Sequence, residues 1–252
     1  MSNFNEPPVL PPQYARPATA LPLGEGPGEN EPLANPSQMI EAMLRQPRRL
    51  VHQLRSGAGG RLTFQMVALG VVCIAIYGLV VGAFSGGDQY WAAPAKLALG
   101  LLGAGLICLP SLFIFACLAG SRASLKEVAG VVAGLVLLMT LLLIGFAPVA
   151  WVFSQSTTSV AMMGFLHLLF GFVALIFGVR FLSQGFQWME TRFNAGLKVW
   201  MILFTLVVVQ MTTALRPIVG TADSFLPKEK KFFLAHWFEQ VTGHTRLADL
   251  GD

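Results

Sequence analysis

The sequence predicts an all-α membrane protein: a five-transmembrane-helix bundle with flanking interfacial amphipathic helices. Two observations carry this. Hydrophobic residues make up 54% of the 252-residue chain and charged residues 12%, about half the charge that a soluble domain usually carries. Between Leu62 and Leu215 the charged residues are Asp88, Lys96, Arg122, Lys126, Glu127, Arg180, Glu190, Arg192 and Lys198, clustered between long uncharged runs. A bilayer acting as solvent accounts for such gaps better than a large soluble core does.

Taken in order, residues 1–37 hold nine of the fifteen prolines together with Gly24, Gly26 and Gly28, and almost no periodic apolar pattern. This composition predicts a disordered, partly polyproline-like tail. Within it, "PPQY" (Pro11 to Tyr14) matches the short ligand that WW domains bind, a pattern frequent in any Pro-rich segment. No secretory signal is expected, because the first apolar run begins near Leu62.

Residues 38–61 form the next unit. "QMIEAMLRQPRRLVHQL" places Met39, Ile40, Met43, Leu44, Leu50, Val51 and Leu54 on one helical stripe, with Arg45, Arg48, Arg49 and Arg55 on the polar side or at its end. Such a helix is expected to lie along anionic headgroups, bent at Pro47, with Arg45, Arg48 and Arg49 facing the phosphates. "SGAGGR" then forms a hinge.

Five apolar segments follow within 62–216, near 63–84, 95–119, 128–153, 159–182 and 197–215, each about long enough to cross roughly 30 Å of hydrocarbon. Short connectors make successive helices antiparallel. Lys and Arg near the ends favour a cytoplasmic N-terminus: Arg45, Arg48, Arg49, Arg55, Arg61, Arg122, Lys126, Arg180, Arg192 and Lys198 fall on one side, and Lys96, Arg216, Lys228, Lys230, Lys231 and Arg246 on the other. Five crossings then place the tail 217–252 outside the cytoplasm. Its "PKEKKFFLAHWFEQVTGH" reads as a short amphipathic helix with Trp237 at the interface. Arg216, beside the helix-breaking Pro217, is expected to snorkel to headgroups where the last segment ends.

The net charge of +4 does not point to nucleic acid, because the basic residues flank apolar segments. Cys73, Cys108 and Cys117 lie in or at the ends of apolar stretches without metal spacing, and read as packing residues. His236, Glu239, His244 and Asp249 do not compose a zinc set, and no nucleophile elbow, Walker or dinucleotide pattern is present. The expectation is therefore no enzyme, no cofactor and no metal. At membrane depth, His167 is the titratable residue, and Gln65 and Gln210 are the most polar uncharged ones; together they are the candidate lining of a polar cavity, and each is also a natural interhelical hydrogen-bonding group. Gly78 and Gly82, Gly130 and Gly134, and Gly164, Gly171 and Gly178 recur at spacings that allow close helix approach.

The basic lead-in "MLRQPRRLVHQL", the five-span layout and the "GSRASLKEV" turn between the second and third spans resemble the Yip1-type family of small multi-pass membrane proteins, over about 40–215. Eukaryotic members carry an acidic-Tyr-Gly-Pro motif ahead of the first span, which this chain lacks. The resemblance implies a non-enzymatic membrane organiser. The expected function is a scaffold, adaptor or accessory subunit in a bacterial inner membrane, with anionic lipids and a protein partner or a second copy as partners. The alternative is a channel or transporter for a neutral or lipid-like substrate.

Overall fold

A computed structural model describes residues 22–57, 59–87, 89–189 and 195–214. Among these residues seven helices run in chain order: α1 (Pro36–Arg45), α2 (Pro47–Arg55), α3 (Gly59–Ser85), α4 (Gln89–Leu118), α5 (Leu125–Ser156), α6 (Val160–Trp188) and α7 (Ala195–Ala214). No strand occurs among the described residues. Among the described residues four helices are long and apolar enough to cross a membrane: α3, most of α4, α5 and most of α6. The chain is thus a multi-pass membrane protein. The apolar stretch Ala195–Met211 of α7 is shorter than these four, so the expected fifth span does not stand beside them on length.

Local chemistry fixes the helix ends. Ser124 starts α5 with a capping box: its hydroxyl accepts from the Glu127 N–H at 3.4 Å, and its own N–H donates to Glu127 Oε2 at 2.5 Å. Ser159 caps α6 by accepting from the Met162 N–H. The end of α4 closes through Gly120 at φ +79°, with Gly120 N–H on Cys117 O and Ser121 N–H on Ala116 O, so the last carbonyls are paired.

α5 is the axis of the bundle. The most apolar window of α5 is 72% buried, against 28–39% for the other three long helices. It packs against α3 and α6 on its flanks and more lightly against α4; α4 packs on α3, and α7 on α4. Outward-facing Leu106, Ile107, Phe172 and Ile202 are exposed, as helices bathed in lipid require.

The structure differs from the sequence expectations in three elements. The amphipathic stretch is two helices broken at Gln46, where Pro47 opens α2. Its apolar face is not laid on lipid: Met39, Met43, Leu50, Val51 and Leu54 are buried against α3, α5 and α6 at one end of the bundle, called proximal below. Small residues make room there, because the Leu54 side chain occupies the space beside Gly130, and the Met43 methyl lies beside Gly134. Second, residues 22–35, expected within a disordered tail, form a turn-rich strap held on α2. Third, α4 begins at Gln89 rather than near 95, so Pro94 lies inside the helix and Lys96 is fully buried rather than in a flank.

The glycines divide in the same way. Gly78 lies against the Pro94 backbone, Gly82 is buried, Gly130 and Gly134 receive α1 and α2 as above, and Gly178 lies against Met139 and Leu135. Gly164 and Gly171, on the same face as Gly178, are not in close contact: a Cβ there would meet nothing within 4 Å.

Candidate functional site

Two polar constellations stand out in a largely apolar molecule. The first is at the proximal end. Glu29, 5% exposed, accepts from the Arg48 Nε–H at 2.7 Å and from the Gly24 N–H at 2.5 Å. Gly24 adopts φ +101°, a conformation that glycine takes at no steric cost, and His52 of α2 lies where a Cβ would project. Further along the strap, the Leu33 N–H donates to Gln53 Oε1 at 3.1 Å while Gln53 Nε2 donates to Glu31 O. Arg49 donates through Nε to Glu31 O at 3.0 Å and through Nη2 to Pro32 O. Arg48 and Arg49 therefore hold the strap, rather than simply lining a headgroup face. Burial alone would raise the Glu29 carboxyl, but the Gly24 N–H, the Arg48 guanidinium and the Gly26 backbone outweigh it and hold it below its ordinary value. Arg49 Nη2 also pairs with Glu31 Oε2 at 3.5 Å, and Arg55 Nε with Glu127 Oε1 at 3.6 Å links the end of α2 to the start of α5.

Beside these bonds lies a cleft of about 340 Å³ lined by Pro27, Glu29, Arg45, Gln46, Pro47, Arg48, Arg49 and Trp188. Arg45 makes only a long contact of 3.8 Å with Glu41, and its side chain is 79% exposed.

The second constellation is within the bundle. The Tyr77 hydroxyl of α3 lies 2.8 Å from His167 Nδ1 of α6, with the rings edge to face at 5.7 Å. Since α3 and α6 both flank α5, this bond ties the two flanks together. His167 Nε2 is buried without a partner among the described residues. Two tautomers are available. If Nδ1 carried the hydrogen, the phenol hydrogen and Nε2 would both be unpaired; with the phenol donating to Nδ1, only the Nε2–H is. The second arrangement therefore wins.

His167 does not share a cavity with the other two residues expected beside it. Gln65 sits twelve residues before Tyr77 on α3, about 18 Å along the axis. Gln210 belongs to α7, which packs on α4. Arg216, Trp237 and the tail 217–252 lie outside the described residues, as do residues 1–21 with "PPQY". Cys73 and Cys108 are buried and Cys117 is exposed, all as free thiols. Among the described residues no three His, Cys, Asp or Glu side chains come together.

Sequence reasoning missed Tyr77, Glu29, Gln53 and Trp200. Trp200 of α7 is fully buried, stacks on Phe204 at 5.2 Å, and donates from Nε1 to Ser111 Oγ at 3.0 Å and Cys108 O at 3.3 Å. A lone phenol or indole inside an apolar segment was the available signal, because its polar atom needs a partner from another helix. Removing the phenol oxygen tests the tie: Tyr77→Phe leaves both imidazole nitrogens unpaired and is expected to destabilise the bundle by about 1–3 kcal/mol. Tyr77→Phe/His167→Leu, which removes both partners, is expected to recover most of that loss. Thermal unfolding in detergent reads the difference, and equal losses in both variants would show that the pair is not what matters.

In comparisons with known proteins, the chain matches no family model, no curated protein and no solved structure.

Proposed function

We propose that this chain is a non-enzymatic integral membrane scaffold or accessory subunit, with its N-terminus in the cytoplasm and α7 as a fifth crossing in a bacterial inner membrane. The observation that carries the reading is the filled core. One continuous apolar cluster runs from Met39 in α1 to Phe204 in α7, and α5 is mostly buried between Val128 and Leu143. A filled core of this kind suits a rigid platform rather than a solute path. The spread of Gln65, His167 and Gln210 over separate parts of the bundle weighs against the channel or transporter alternative.

Orientation follows from charge. Arg45, Arg48, Arg49, Arg55, Arg61, Arg122, Lys126, Arg180 and Lys198 all fall toward the proximal end, which the positive-inside rule assigns to the cytoplasm. The layout resemblance to Yip1-type organisers agrees with this reading. On it, the strap fixed on α2 and the basic proximal end form the surface offered to cytoplasmic partners.

The test compares the full chain with a variant lacking residues 1–21, both purified from crosslinked native membranes. A scaffold is expected to carry one protein in constant proportion, or a second copy of itself, with the cytoplasmic partner reduced in the shortened chain. Solute movement by the purified chain alone in liposomes, abolished by His167→Ala, would overturn the proposal in favour of transport.

A further inference from the structure

We infer that the proximal cleft between the strap, the α1–α2 junction and the end of α6 is a binding site for the phosphate headgroup of an anionic phospholipid. This is independent of the scaffold reading, since neither a partner nor a transported solute enters the argument.

The lining supplies the chemistry. Three guanidiniums, from Arg45, Arg48 and Arg49, and one carboxylate, Glu29, line a cleft of about 340 Å³; Glu41 and Glu31 reach Arg45 and Arg49 from outside the lining at 3.8 and 3.5 Å, so the wall itself is richer in guanidinium than in carboxylate. Arginine presents a planar fork of N–H donors that matches phosphate oxygens. The backbone and side-chain bonds already made by Arg48 and Arg49 fix where those guanidiniums sit, and a pre-positioned donor loses less freedom when an anion arrives. Arg49 donates to Glu31 O and Pro32 O, and its Nη2 also lies 3.5 Å from Glu31 Oε2, which leaves part of its five-donor fork for an anion. Exposed Arg45 has only its long contact with Glu41 to give up. The Gln46 side chain lies in the same wall.

Position selects the source of the phosphate. Trp188 ends α6 six residues beyond the buried Leu182, about 9 Å further along the axis. That is the headgroup layer if the hydrocarbon boundary falls near Leu182, and an indole at this level is a customary interfacial anchor. The cleft lies at the end of the apolar span that closes at Trp188, and its proline and indole walls suit the glycerol portion of a lipid better than they suit a hydrated inorganic ion.

The strap shapes this site as well as bordering it. Glu29 and Glu31 occupy part of the guanidinium surface, which keeps the cleft from becoming a general anion sink and leaves Arg45 to discriminate between charged and zwitterionic headgroups. One salt-dependent lipid site is expected, rather than a diffuse basic surface.

The experiment is native mass spectrometry of the full chain in detergent micelles, titrated with phosphatidylglycerol or phosphatidylcholine. One phosphatidylglycerol is expected to be retained in preference to phosphatidylcholine, and Arg45→Ala to weaken that retention about five-fold. Arg45 is exposed, so the variant is expected to fold. Arg122→Ala, which removes an exposed arginine in the α4–α5 turn at the same end, is expected to leave retention unchanged. Equal retention of the two lipids would overturn the proposal, as would equal losses in Arg45→Ala and Arg122→Ala, which would reduce the effect to diffuse charge. Displacement of phosphatidylglycerol by millimolar inorganic phosphate would assign the cleft to a soluble anion and overturn the lipid source.

Discussion

Among the glycines packed between the long helices, Gly78→Ala is expected to be the most damaging single-methyl change. A Cβ at Gly78 would overlap the backbone of Pro94 in α4, and backbone cannot swing away as the end of a side chain can. The two helices must then separate, or one must shift along the other. Overpacking of this kind costs about 1–3 kcal/mol and sometimes more. Gly134→Ala presses on the Phe181 ring at 2.7 Å and Gly178→Ala on Met139 Cγ at 2.8 Å; both neighbours are side chains that can give way, so smaller losses are expected. Gly164→Ala and Gly171→Ala enter open space and are expected to be neutral, or to gain up to about 1 kcal/mol from helix propensity. Thermal unfolding in detergent should rank the five variants in that order. An unfolding temperature for Gly78→Ala equal to that of Gly171→Ala would show that the α3–α4 contact is not the tight one.

The same glycines show what a sequence can and cannot reveal. Spacing identifies residues that share a helix face, and Gly164, Gly171 and Gly178 do share one. It does not reveal whether a neighbour runs along the whole face. Against α6, α5 closes tightly at Gly178, and no described side chain fills the space beside Gly164 or Gly171. Long uncharged runs were a dependable guide to α3, α5 and α6, because hydrocarbon tolerates so few alternatives. The start of α4 was obscured by Pro94 and Lys96, both of which normally argue against a buried helix interior. The destination of α1 and α2 was obscured for a different reason: an amphipathic face buries equally well in lipid or in protein, and only the cavity left by Gly130 and Gly134 decides between them. Of the candidate polar residues, His167 was visible as a lone histidine in an apolar run, but its partner Tyr77 is 90 positions away and no local pattern announces it.

The strap was invisible to composition, and Arg48 holds it on α2. Proline-rich sequence argues for disorder because it buries little apolar surface. Here the deficit is offset by polar contacts with α2 at sequence separations of 17 to 26 residues. The Glu29–Arg48 pair is the most enclosed of these, with side chains 7% and 26% exposed. Arg48→Ala is expected to cost the docked strap about 3 kcal/mol, since it leaves a buried carboxylate without its counter-charge. Because the strap lies at the edge of the bundle, the loss should appear as local detachment: faster proteolysis within residues 22–35, with the unfolding temperature of the helices nearly unchanged. Glu29→Gln, which keeps the shape and removes the charge, should detach the strap less than Arg48→Ala does. Acid should act in the same direction. The folded carboxyl lies below its ordinary value of 4.5, so its contribution is complete above that pH and is lost as pH falls through the lowered value. Proteolysis with an acid-active protease should therefore accelerate in the wild type as pH falls below the ordinary carboxyl value of 4.5 and through the lowered one, and much less in Glu29→Gln, where no proton remains to be taken up. A strap that resists cleavage equally in all three proteins would mean that the Pro-rich turns hold their shape without the ion pair, and that the carboxylate is a consequence of docking rather than its cause.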